Sequence, residues 1–365
     1  MSHAHHQHHL DASGPEDPRR RADAAALPED RVLVVAEIGN NHEGDPERAR
    51  ALVRAAAAAG CDGVKLQVFR AHEFVRPSMT ERLAQMGRFE LAPDVVRELC
   101  ALGRELGLVV IATPLDMPSL ALLAGGRADG PALVDALKIA SGDNDHIPLI
   151  AAAARTPLPL VISTGMAGRE DVRAAVGCVR DMRHGGVGAG LWLLQCTSAY
   201  PAMADEAELA AMGELREAFG LPVGYSDHTV GVEVAAVAAA AGARMIEKHF
   251  TLDHRLSEFR DHQLSADPAE MARLVAQVRW TERVLGGGRK QPLPVEEPLR
   301  RAARRSPVAA RDLRPDQVLG REDVTWMRPR DGMRPGDEWR LLDRPMRVER
   351  RRGDALDDDD VLRAD

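Results

Sequence analysis

Residues 32–68 read VLVVAEIGNNHEGDPERARALVRAAAAAGCDGVKLQV. A short apolar run at 32–36 gives way to a polar turn and then to Asp45-Pro46, an N-capping residue ahead of a proline suited to the first helical position. An alanine-rich stretch continues to Ala59 and stops at Gly60, and a second apolar run follows at 63–68. Short, continuously apolar runs suit strands buried on both faces, as in a parallel sheet, where a crossover helix joins each strand to the next.

The unit recurs. Further runs lie at 108–112, 136–140, 160–163, 191–196, 223–226 and 245–250, which makes eight in all. Helix-like stretches at 93–106, 169–182, 206–219 and 232–241 alternate with them. Eight strand–helix units over about 250 residues predict a TIM (β/α)8 barrel. The competing architecture, an open doubly wound sheet, would carry a glycine-rich dinucleotide loop after its first strand, and none follows residue 36. A helix over 268–285 completes the barrel. Gly286-Gly287-Gly288 and the proline-rich residues 291–294 then read as a linker.

Beyond Ser306 the texture changes. Short β-like pieces at 307–310, 324–327 and 347–348 alternate with turn signals such as Asp331-Gly332 and Pro335-Gly336. The expected organisation is a disordered His-rich leader over 1–30, the barrel over 31–290, a linker over 291–305 and a small, mostly β domain over 306–365. The acidic run 357–360 reads as a solvated tail.

Composition narrows the function. Of 365 residues only 3% are aromatic, so the core must be Ala, Val and Leu. The net charge of -8 supplies no electrostatic reason to hold nucleic acid or an anionic membrane. No apolar run approaches the roughly 20 residues of a membrane span. The leader, with His3, His5, His6, His8 and His9, lacks the pattern of a signal peptide. Cys61, Cys100, Cys178 and Cys196 form no CxxC pair, which suits reduced thiols in a cytoplasmic enzyme. Cys196 can pass for a nucleophile, but the sequence puts no base beside it.

In a TIM barrel the active site lies where the strands end, so the residues following each run carry the chemistry. Every end here is polar. Lys65 and Lys138 sit on strands, where an ammonium group is costly to bury without an anionic partner. Ser141, Ser163 and Ser226 offer hydroxyl donors, and Gly142 and Gly165 permit close backbone approach. For either lysine alone, a structural pair with Glu37 or Glu247 is as good a reading as an anion site; two lysines and three serines at one rim favour a site for phosphate and carboxylate. His228 and His249 end neighbouring strands. They can share a divalent ion that acts as a Lewis acid, or they can be hydrogen-bonded caps; spacing leaves both open. Asp261 and His262 lie in the loop after the eighth run, within reach of substrate or of a metal ligand.

These segments resemble a known family. Residues 35–44 (VAEIGNNHEG), 64–67 (VKLQ), 138–142 (KIASG), 162–166 (ISTGM), 195–198 (QCTS), 224–229 (GYSDHT) and 246–251 (IEKHFT) look like motifs of the N-acetylneuraminate (sialic acid) synthase family. Residues 306–310 (SPVAA) and 328–332 (RPRDG) look like its C-terminal antifreeze-like (SAF) domain. The resemblance implies a domain-swapped homodimer and Mn²⁺ or Mg²⁺ on His228 and His249. It implies phosphoenolpyruvate on Lys65, Thr113, Lys138, Ser141, Ser163, Ser198 and Ser226. The acceptor sugar would meet Gln67, Asp143, Tyr200 and Asp261, with Arg328 supplied by the partner's SAF domain. The reaction implied is attack of phosphoenolpyruvate on the aldehyde of an open-chain amino sugar, with Glu37 managing the water.

Three departures bear on the acceptor and the anion site. Ser198 stands where sialate-forming members carry Asn. Asp143 stands where many have Glu, and Phe259-Arg260-Asp261-His262 replaces Gly-Pro-Asp-His. Two rival readings are a deoxy-ulosonate phosphate synthase and a non-catalytic carbohydrate-binding barrel. The SAF-like segment argues against the first, and polar groups at all eight strand ends argue against the second.

Overall fold

The computed structural model describes residues 27–28, 30–125, 130–187 and 190–362. The expected leader falls almost wholly outside the described residues. The chain divides into two compact units, with the break after Gly286.

In the first unit eight parallel strands close into a barrel in chain order. They are β1 (Leu33–Gly39), β2 (Gly63–Val68), β3 (Val109–Pro114), β4 (Ala136–Ile139), β5 (Leu160–Ser163), β6 (Leu191–Cys196), β7 (Val223–Asp227) and β8 (Met245–His249). Closure pairs β8 with β1, setting Leu33 opposite Met245 and Glu37 opposite His249. All eight strands lie where the apolar runs predicted them, with ends shifted by a few residues. The largest shift is at β1, which continues through Glu37 to Gly39.

Strand pleating divides the side chains between two layers. Val34, Ala36, Val64, Val110 and Ile246 face outward and pack with the helices in the main apolar core. Leu33, Val35, Val109, Ile111, Val161, Trp192, Leu194 and Met245 form a separate buried cluster, the apolar floor of the barrel interior. The floor is full. A side chain at Gly224 would meet the Met245 carbonyl at 2.5 Å and Leu194 at 2.7 Å. The next inward positions along these strands are polar: Glu37 after Val35, Thr113 after Ile111, Ser163 after Val161 and Glu247 after Met245.

The helices begin as their capping residues dictate. Asp45 accepts from the amides of Glu47 and Arg48 ahead of Pro46–Ala58, and Asp267 and Glu270 form a capping box for Pro268–Leu285. One predicted helix is cut short. Instead of 206–219, the helix covers Ala211–Phe219, after a 3-10 turn at Ala204–Glu206. Thr197 donates to the Glu206 carbonyl, Glu206 accepts from the Met203 amide, and Glu208 has φ +48, so these residues are tied to the end of β6. Between β2 and Pro93–Glu105 the chain adds two helices, Ala71–Phe74 and Thr80–Phe89, over a small cluster of Phe69, Val75, Met86 and Phe89.

The second unit has its own core of Ala309, Leu313, Leu319, Leu341, Met346 and Leu356. An antiparallel pair, β9 (Ser306–Ala309) with β10 (Val324–Met327), lies beside it. Residues 294–303, read as linker, include a 3-10 turn (Pro294–Glu296) and a short helix (Glu297–Ala303). Two expectations are corrected here. Residues 347–348 form no strand: Met346, Arg347 and Arg350 bond in turn to Gln317, Asp360 and Leu313, so isolated bridges replace a ladder. The acidic run is solvated only in part: Asp357, Asp358 and Asp359 are exposed, but Asp360 is buried. Asp358–Asp360 is a 3-10 turn, and the buried Asp360 carboxylate pairs with Arg350 and accepts from the Asp357 amide.

Candidate active site

The polar half of the barrel interior is built around four charges. Glu247 on β8 lies 2.8 Å from Lys65 on β2 and 3.8 Å from Lys138 on β4, and Glu37 on β1 lies 3.3 Å from Lys65. All four are buried. The pairing that either lysine alone suggested is therefore present, with two ammonium groups offset by two carboxylates. Burial would raise Glu247, but Lys138 and Lys65 outweigh it and hold its carboxyl far below the usual range. Burial likewise opposes charge on Lys65, where Glu247 and Glu37 win and keep it above the usual lysine value. At Lys138 burial wins, and its ammonium falls to about 8. Burial pushes Glu37 up to about 7 against the pull of Lys65, with the Glu247 charge adding to the rise.

Hydroxyl groups surround this cluster. Thr113, Ser163 and Ser198 each have a buried hydroxyl oxygen with no hydrogen-bond partner. Buried polar groups are normally satisfied, so orphaned hydroxyls near two lysines mark a place where a ligand oxygen is expected. The Gly165 backbone closes in on the same point: a Cβ there would lie 2.3 Å from the Ser198 hydroxyl and 2.7 Å from that of Ser141. Gly142 has open space around it. Ser226 donates its hydroxyl to Glu247 at 2.8 Å, so it acts on the cluster through that carboxylate.

The two histidines meet at the neighbouring rim, with ring centroids 5.5 Å apart. His228 Nδ1 donates to the Thr197 carbonyl at 2.8 Å, which leaves the Nε2 lone pair free. His249 Nδ1 is buried without a partner. Burial lowers both pKa values, and at His249 the His228 ring adds to the effect. Two neutral imidazoles, one with an orphaned buried nitrogen, fit a divalent ion better than a pair of satisfied caps. No third His, Cys, Asp or Glu among the described residues completes a cluster there. The single three-ligand group among them, His254 with Asp267 and Glu270, uses both carboxylates to cap a helix.

The residues expected to meet an acceptor divide in two. Gln67 donates to Glu37 at 2.9 Å and accepts from Asn40 at 3.1 Å, which fixes its amide beside the charged cluster. Tyr200 stacks on His228 with 4.2 Å between centroids, and the Arg260 guanidinium lies 5.0 Å from the Tyr200 ring centroid. Asp261 keeps one buried oxygen unpartnered and 3.7 Å from Arg260; burial raises its pKa, as it does that of Asp143. Arg328 belongs to the second unit, just after β10.

Two further residues lie close to these groups in sequence. Cys196, for which the sequence suggested no neighbouring base, has its sulfur 3.6 Å from His228 Nδ1. That nitrogen carries the proton given to Thr197, and burial raises the thiol's pKa, so Cys196 remains a packed thiol. His262 is fully buried, against the Thr251 hydroxyl and 3.7 Å from the Glu43 carboxylate. The residue that sequence reading undervalued is Glu247. Its signal was the alternation in residues 245–249, which turns Met245, Glu247 and His249 to one face.

Comparison with known proteins places the chain. The model of the NeuB family matches residues 52–290. The chain belongs to the NeuB family. Its relatives include the N,N'-diacetyllegionaminic acid synthase of Legionella pneumophila, 38% identical over 84% of this chain and 87% of that one. The pseudaminic acid synthase of Campylobacter jejuni is 29% identical, over 90% of this chain and 96% of that one. Among solved structures, the N-acetylneuraminic acid synthetase of Leptospira borgpetersenii covers 75% of this chain and 92% of its own, at 31% identity and a TM-score of 0.68. This NeuB-family chain is thus a sialic acid synthase-like transferase. No helix among its described residues is long and apolar enough to cross a membrane.

Proposed function

We propose that the chain joins phosphoenolpyruvate to the aldehyde carbon of an open-chain N-acetylated amino sugar, releasing phosphate and a sialic-type nonulosonic acid. One observation carries the reading: two buried lysines, orphaned hydroxyls and a pair of neutral histidines converge at one end of the barrel. Lys65 and Lys138 would hold the phosphate and carboxylate charges, assisted by Thr113, Ser141, Ser163 and Ser198. Carbon 3 of phosphoenolpyruvate forms the new bond to the aldehyde carbon, water adds at carbon 2, and the C–O bond to phosphate breaks to leave the keto acid. A divalent ion, Mn²⁺ or Mg²⁺, held by His228 and His249 would supply Lewis acidity toward the aldehyde oxygen. Gln67, Asp143, Tyr200 and Asp261 would meet the sugar.

The test is phosphate release from phosphoenolpyruvate across a panel of acceptors: N-acetylmannosamine, diacetamido-trideoxy hexoses, free pentoses and phosphorylated sugars. The reading expects turnover with unphosphorylated N-acetylated hexoses. Diacetamido sugars belong in the panel because relatives are named for legionaminic and pseudaminic acids. Turnover with phosphorylated sugars alone would favour a deoxy-ulosonate phosphate synthase, and no turnover at all a binding protein.

Glu37 is assigned to the water. A carboxyl raised to about 7 is protonated below that pH and a competent base above it. kcat/KM should therefore rise with pH through about 7, and Glu37→Gln should remove both that limb and most of the activity. A wild-type profile without an acid limb there would remove Glu37 from this role.

The second unit is proposed to be an SAF domain that acts at a partner's barrel in a swapped homodimer, supported by the resemblance of residues 306–310 and 328–332. Mixing His228→Ala with Arg328→Ala protein under conditions of subunit exchange should restore part of the activity, because one mixed site regains both residues. Failure of recovery, with exchange shown independently, would exclude the swap.

A further inference from the structure

The last rung of the β7–β8 ladder sets Asp227 opposite Lys248. Both side chains are 0% exposed, and they form an ion pair of 3.0 Å. Pleating turns them to the outer face of the strands, since Ser226 and Glu247, one residue earlier on each, meet inside the barrel. His228, just past the end of β7, and His249, the last residue of β8, come next along the two segments.

The bonds made by this pair concentrate on the backbone around His228. Lys248 Nζ donates to Asp227 Oδ2 and also to the Thr229 carbonyl. Asp227 Oδ1 accepts from the Thr229 amide at 2.9 Å and from the Thr229 hydroxyl at 2.8 Å. Both chain neighbours of His228 are thus braced against the chain neighbour of His249. The bracing matters because β7 ends at Asp227, so His228 lies beyond the strand ladder. Among the described residues its carbonyl accepts from the Ala202 amide at 3.0 Å.

Stability alone is a weak explanation for such a pair. Taking two charges wholly out of water costs about as much as their attraction returns, and a well-packed apolar pair would serve as well or better. An apolar pair has no directional bonds, however, and so could not hold residues 227 and 229 at fixed positions relative to 248.

We propose that Asp227 and Lys248 are positioning residues that set the separation and aim of the His228 and His249 imidazoles, and through them the affinity for a divalent ion. The proposal rests on the two-histidine centre described above. It makes the outer wall of the barrel, rather than its mouth, the place where metal affinity is tuned.

The experiment compares wild type, Lys248→Met, Asp227→Asn and the double variant. Each is titrated with Mn²⁺ while the free ion is followed by electron paramagnetic resonance. Thermal unfolding is recorded on the same proteins, and phosphoenolpyruvate binding is measured by calorimetry in chelator. Loss of groups that orient metal ligands weakens binding by about 10–100-fold, and the same loss is expected in each variant. Phosphoenolpyruvate affinity should hardly change. The double variant, which buries no unpaired charge, should unfold near the wild-type temperature and yet stay weak for Mn²⁺, so it decides the matter even if the single variants fold poorly. A folded double variant with wild-type Mn²⁺ affinity would overturn the positioning role and leave the two-histidine centre intact. Wild-type protein that binds no Mn²⁺ would overturn the centre itself, and the positioning role with it.

Discussion

His228→Ala or His249→Ala should reduce turnover about a thousandfold or more, and chelation should silence the wild type until Mn²⁺ or Mg²⁺ is returned. A bound cation contributes several kcal/mol to a transition state that develops charge on oxygen, at about 1.4 kcal/mol for each factor of ten. The geometry makes the loss specific. Each imidazole is neutral because it is buried, and His228 has its proton fixed on Nδ1 by the Thr197 carbonyl. Alanine removes a donor that no neighbouring His, Cys, Asp or Glu among the described residues replaces. Steady-state assays in metal-buffered solution, with phosphoenolpyruvate binding measured in parallel, separate loss of chemistry from loss of the anion site. Full activity of the wild type in EDTA would remove the metal from the mechanism.

Lys65→Ala and Lys138→Ala should each weaken phosphoenolpyruvate binding about a hundredfold or more, because truncating one member of a buried charge pair strands its partner. Lys65 is expected to be the worse loss. It touches both Glu37 and Glu247, so its removal leaves two buried carboxylates facing an incoming anion, whereas Lys138 makes the longer contact to Glu247 alone. Arginine should rescue neither variant, since a planar fork does not fit where a compact ammonium sits among packed strands. Calorimetric titration of the folded variants is the measurement, and wild-type affinity in both would discard the anion-site assignment.

Much of this was legible in the chain, for a physical reason. Each barrel strand is buried on both faces, so each prints as an apolar run, and the capping residues Asp45 and Asp267 mark where helices begin. The two histidines could be placed side by side because strands consecutive in a closed barrel are neighbours. Glu247 was harder to value. Its contact with Lys65 joins β8 to β2, the two strands that flank β1, and arises only from closure. Cys196 and His228 meet across the β6–β7 seam, where consecutive strands pair. The second unit was least legible. Beyond the β9–β10 ladder its pairings are single bridges between distant segments, so Arg347 and Val348 look like strand but have no ladder to join, and the buried Asp360 looks like a solvated acid until Arg350 is seen to meet it.

The layered interior has a consequence for engineering. Val35, Ile111, Val161 and Met245 on the floor each stand two residues before Glu37, Thr113, Ser163 and Glu247 on the same strands. Durability and reactivity are therefore written on alternate steps of one thread, and a mutational library can address them separately. Randomising the lower positions among aliphatic residues should yield variants that differ in heat tolerance while keeping substrate preference, whereas randomising the upper ones should do the reverse. A barrel stacked in this manner can be hardened first and retooled afterwards.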